Sequence, residues 1–136
     1  MKRLILFFAL ATMLASCTIN SVQETPQVVL LTARAQDWNA QLGTTNVPLY
    51  YSCRFDMPEI TSSVFSLGSV QTYVYINDAQ QVLPSVLHFR NPSGEMWTQT
   101  IDCEYGIGYI KLFYTNSDFS VTDAPATMDF RVVVTR

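Results

Sequence analysis

Charge is scarce in this chain. Only 14% of its 136 residues are charged, and eleven acids face eight bases. No basic stripe runs through it, which argues against a nucleic-acid partner. His88 is the single histidine, and neither His-x-x-x-His nor paired cysteines assemble a zinc site. An Asp-x-Asp-x-Asp-Gly calcium loop and a Gly-x-Ser-x-Gly nucleophile turn are also missing. The three cysteines include no Cys-x-x-Cys pair that would lower a thiol pKa. No cofactor is expected. What is plentiful is apolar: 49% hydrophobic and 12% aromatic residues, the reverse of a disordered composition.

The longest apolar run opens the chain. Lys2 and Arg3 precede Leu4 to Leu14, which is apolar throughout except for Thr12, and Ala15-Ser16 then lead into Cys17. This is the layout of a secretory signal peptide over residues 1–16, shorter than a membrane-spanning helix. No second run approaches the ~18 residues of such a helix. Leu14-Ala15-Ser16-Cys17 resembles the lipobox of bacterial lipoproteins. The resemblance implies that Cys17 becomes the first mature residue, carries diacylglycerol on its sulfur and is acylated. Two or three acyl chains hold a protein durably where one does not.

Loss of Lys2 and Arg3 leaves six bases against eleven acids, a mature charge of about −5. Residues 17–27 read as the lipidated N-terminus and a polar tether, whose ten residues reach roughly 30 Å when extended. Lipoproteins displayed on the surface of some Gram-negative bacteria carry an acidic cluster after the lipidated cysteine. Here only Glu24 stands in the tether. The expected address is the cell envelope, at the outer membrane, with the periplasmic and surface faces both open.

Residues 28–136 have the pattern of one β domain. Val28 to Ala35 is apolar at both parities. Leu49, Tyr51, Cys53, Phe55 and Met57 alternate with polar residues, a period of two that marks a half-buried strand. Pro58 and Gly68 frame one or two helical turns. Val70 to Ile76 alternates again, and Asn77-Asp78 turns the chain into the run 82–89, which Pro84 pushes toward a sheet edge or a bulge. Asn91-Pro92-Ser93-Gly94 fits a type I turn. Strands follow at 96–105, at 109–114 after Gly106-Ile107-Gly108, and at 128–135. About seven strands so punctuated predict an all-β fold, an antiparallel β-sandwich of Greek-key or immunoglobulin-like kind.

Three stretches, Trp97-Thr98-Gln99-Thr100-Ile101-Asp102, Thr115-Asn116-Ser117-Asp118-Phe119 and Phe130-Arg131-Val132-Val133-Val134, resemble small β-rich bacterial lipoproteins of undefined function. The likeness covers most of the mature chain and brings no catalytic motif.

Few residues suggest chemistry. Cys53 and Cys103 remain once Cys17 is lipidated, and an even pair in an exported chain makes them candidates for a disulfide. A pair of buried, separate thiols is the alternative. Asp102 and Glu104 project from one side of a strand about 7 Å apart, near the spacing of glycosidase carboxylates. His88, beside a turn, is more readily a packed or surface histidine than a catalytic one. Trp38, Tyr50, Tyr73 and Tyr75 are candidates for a ligand or partner face, since aromatics are enriched at binding surfaces. Sheet pairing or burial under a further layer is the alternative for the tyrosines.

The leading expectation is therefore a non-enzymatic, lipid-anchored envelope protein that docks a protein partner or structural assembly. A carbohydrate-binding module using surface Tyr and Trp is the second reading. A small hydrolase using Asp102, Glu104 or His88 is the third.

Overall fold

The computed structural model describes residues 25–45 and 48–136. The expected signal peptide, Cys17 and most of the expected tether lie outside the described residues. Nine strands are described: β1 (Gln27–Ala33), β2 (Asn39–Leu42), β3 (Pro48–Asp56), β4 (Ser69–Ile76), β5 (Ala79–Val82), β6 (Ser85–Arg90), β7 (Met96–Gly106), β8 (Tyr109–Asn116) and β9 (Met128–Thr135). A short 3-10 turn (Ala35–Asp37) precedes β2, and helix α1 (Ser62–Leu67) joins β3 to β4. All pairings are antiparallel, in a four-stranded sheet β1-β9-β4-β5 and a five-stranded sheet β2-β3-β8-β7-β6. The fold is an all-β sandwich. In the larger sheet the meander β6-β7-β8 is followed by β3 beside its last member, a Greek-key placement.

Parity decides what each strand buries. Tyr51, Cys53 and Met57 face inward near β3, as Ile110, Leu112 and Tyr114 do from β8. Phe130, Val132 and Val134 of β9 answer them from the other sheet, beside Val74 and Thr72 of β4. Each large side chain so buried contributes about 1.5–3 kcal/mol.

Two strands depart from the sequence expectation. β2 lies in the polar connection after Trp38, where the pattern Asn-Ala-Gln-Leu carries no strong apolar alternation. Where one run over 82–89 was expected there are two strands, β5 at 79–82 directly after the turn and β6 at 85–90, because the chain passes from one sheet to the other at Leu83-Pro84. Pro84 separates β5 and β6, both edge strands, where a missing N–H leaves no ladder unpaired.

The connections follow local chemistry. Asn77 and Asp78 both have positive φ, 50° and 62°, so the two-residue β4–β5 loop is a type I′ turn. Gly94 N donates to Asn91 O at 3.0 Å, closing the turn foreseen at Pro92. The Thr61 hydroxyl caps α1 by accepting from Val64 N at 3.2 Å. The C-cap position is glycine because the backbone of β9 passes so close: a Cβ on Gly68 would lie 2.2 Å from Thr135 O.

Candidate functional site

The residues singled out from sequence are dispersed. Trp38, expected on a binding face, is only 5% exposed and packs in the core against Tyr114, with ring centroids 6.3 Å apart. The 3-10 turn before β2 tucks it inward. Its indole Nε1 is buried and has no hydrogen-bond partner among the described residues.

Tyr50 lies on the outer parity of the five-stranded sheet, edge-on to Phe113 at 5.7 Å. Tyr73 and Tyr75 lie on the outer parity of the other sheet. Arg131 sits over the Tyr73 ring at 5.6 Å, while the two hydroxyls bond Gln71 and Gln80. The four aromatics therefore form no common platform.

Cys53 and Cys103 are free thiols, which corrects the candidate disulfide. Both face the core but from the same sheet: each is registered opposite Leu112, on either side of β8. Two strand spacings put their Cα atoms about 10 Å apart, beyond the ~7 Å that a disulfide spans. Burial, then Asp37, pushes the Cys53 thiol up to about 11. Cys103 is raised too, mainly by burial. Thr72 faces it from the other sheet, yet the Thr72 hydroxyl makes no hydrogen bond of normal geometry among the described residues.

Asp102, Glu104 and His88 are exposed on the outer face of the five-stranded sheet. His88 is registered opposite Thr98, four residues and about 13 Å along β7 from Asp102. Asp102 Oδ1 accepts from Cys103 N at 2.7 Å. No cluster of three or more His, Cys, Asp or Glu suited to a metal occurs among the described residues.

Concavities lie elsewhere. A groove of about 590 Å³ crosses the four-stranded sheet from β1 over β9 to the β4–β5 turn, bordered by Leu30, Thr32, Asp129, Tyr75 and Asp78. A smaller cavity, about 290 Å³, lies at one end of the sandwich. Its floor is the inner face of β7 and β8, where Trp97, Gln99, Tyr114 and Asn116 extend toward the strand ends. Its wall is the loop from 117 to 127.

Several bonds hold that loop, among them a two-way link in which Ser117 N donates to Thr98 O at 2.9 Å and Thr98 N donates to the Ser117 hydroxyl at 3.1 Å. The Tyr51 hydroxyl donates to Val121 O. Asn116 Nδ2 donates to Ser120 O at 2.9 Å, and Ser120 N donates to Asp118 Oδ1 at 2.9 Å. Asn116 Oδ1 is buried and unpartnered among the described residues. In the sequence these residues look like turn punctuation; only the pairing of β7 with β8 reveals them as a cavity. The alternation of Trp97 with Gln99 was the one signal available.

The cavity and the start of β1 occupy opposite ends. Gln27 pairs with Val134 near the C-terminus, whereas the cavity wall leads into Met128 at the other end of β9. Comparisons with protein-family models, curated proteins and solved structures found no match.

Proposed function

We propose that the protein is a lipid-anchored, non-enzymatic component of the bacterial envelope, held at the outer membrane through Cys17, that docks a protein partner along β1. One observation carries this reading. Among the described residues β1 is an edge strand, and its outer side chains Val28 and Leu30 stand exposed, Leu30 by 69%. An unpaired ladder edge beside apolar side chains is the surface that strand addition uses. β1 begins ten residues after Cys17, so the lipid anchor would hold this edge near the membrane. Asp102 and Glu104 stand exposed on a sheet face with His88 about 13 Å from Asp102 along β7, an arrangement that supports a non-enzymatic role.

A photo-crosslinking residue at position 30 tests the proposal in native membranes, with one at position 104 and a Cys17→Ala form as controls. One abundant adduct from position 30, absent from both controls, is the expected result. An anchored protein that yields no adduct from position 30 removes the docking role.

A further inference from the structure

We propose that the cavity at the end of the sandwich binds a single neutral pyranose ring. This site is separate from β1 and does not depend on the docking reading.

Charge narrows the ligand first. Among the described residues the lining contains Asp118 and Asp123 and no Lys, Arg or His. Phosphate, sulfate and carboxylate groups would enter against two carboxylates, and such like-charge contacts are unfavourable. Anionic ligands are therefore disfavoured.

Hydrogen-bonding capacity narrows it further. A cation needs acceptors only, and a purely acidic lining would suit it. This wall also offers groups that both donate and accept: Gln99, Ser120 and Thr122. The Ser120 and Thr122 hydroxyls stand 3.2 Å apart. Sugar hydroxyls likewise donate and accept at once, so they can use the carboxylates and hydroxyls together.

Shape and rigidity supply the rest. A ring of C–H groups needs an apolar wall, and Trp97 provides one. Its indole is stacked on Phe89, with centroids 5.5 Å apart and planes 15° from parallel, so it is held in place. The bonds from Tyr51, Asn116 and Asp118 fix the loop, which lowers the ordering cost of binding. At about 290 Å³ the cavity lies at the small end of ligand pockets, suited to one ring rather than a chain.

The test is saturation-transfer NMR on the mature protein as purified from its host in detergent. The probes are methyl β-glucopyranoside, methyl α-mannopyranoside and N-acetylglucosamine, with glucuronate and tetramethylammonium as charged controls. Saturable millimolar binding of at least one neutral sugar is expected, with glucuronate at least tenfold weaker. Asp118→Asn keeps the shape of an exposed side chain and should weaken that sugar tenfold or more. Trp97→Ala should abolish its binding while the circular dichroism spectrum is retained.

No saturable signal from any neutral sugar up to tens of millimolar would overturn the proposal. So would tighter binding of tetramethylammonium or glucuronate, or neutral-sugar binding unaffected by Asp118→Asn.

Discussion

Cys53 and Cys103 stand opposite the same residue, Leu112, one on each side of β8. The arrangement fixes their chemistry: they share a core and cannot meet. Under non-reducing conditions the folded protein should show both thiols unpaired. Titration with a thiol reagent should find them slow to react in buffer and quick in denaturant. Failure of both cysteines to take up the alkyl group under denaturing, non-reducing conditions, with a mass two hydrogens below that of the reduced, unalkylated protein, would contradict the register.

Alkaline pH should destabilise the protein, and Cys53 should account for part of the effect. Its thiol is raised from 9.0 to about 11 in the folded state. Between those values the unfolded chain releases a proton that the native state keeps, so stability falls as pH rises through this window. Below it the stabilisation is fully present. Cys53→Ala should flatten the stability profile above pH 9, read by urea denaturation at a series of pH values. Cys103, Tyr51 and Tyr114 are raised as well and should leave a residual slope.

Tyr51→Phe removes the donor that ties the 117–127 loop to β3. It leaves Val121 O without that bond, and a loss of about 1 kcal/mol follows. Hydrogen exchange should rise in the loop and stay unchanged in β9. Equal loosening of both would mean that the loop is held by something else.

Gly68→Ala should destabilise by about 1–3 kcal/mol. The backbone φ of −101° suits any residue, so the penalty is steric: the new methyl meets Thr135 O at the end of β9. A melting temperature equal to that of the parent protein would show that β9 yields freely there.

On the outer face, His88→Asn, Asp102→Asn and Glu104→Gln should each change stability by less than about 0.5 kcal/mol. In contrast Phe130→Ala, at a fully buried position, should cost about 3–5 kcal/mol. Chemical denaturation distinguishes the two groups.

The strands that were legible in sequence are those with one wet and one dry side. The alternation from Leu49 to Met57 and from Val70 to Ile76 identifies the inward side chains, because period two is a property of the strand alone. It does not say which sheet a strand joins. Cys53 and Cys103 share the inward parity, and their lateral placement beside Leu112 is a tertiary fact. Trp38 shows the same gap: its neighbours are polar, and only the turn at Ala35–Asp37 takes it into the core. β2 was hidden because an edge strand can be held by ladder bonds with little apolar signal. The cavity was hidden because Asn116, Asp118 and Ser120 have the composition of any turn.

The pairing of β1 with β9 also has a mechanical consequence. Tension applied at Gln27 and opposed at the remote end of the sandwich runs along the axis of β1. The seven residue pairs from Gln27–Val134 to Ala33–Met128 lie across that axis. They are loaded together in shear, not peeled apart one after another. Anchored at one pole and pulled at the other, the domain resists with its whole first strand.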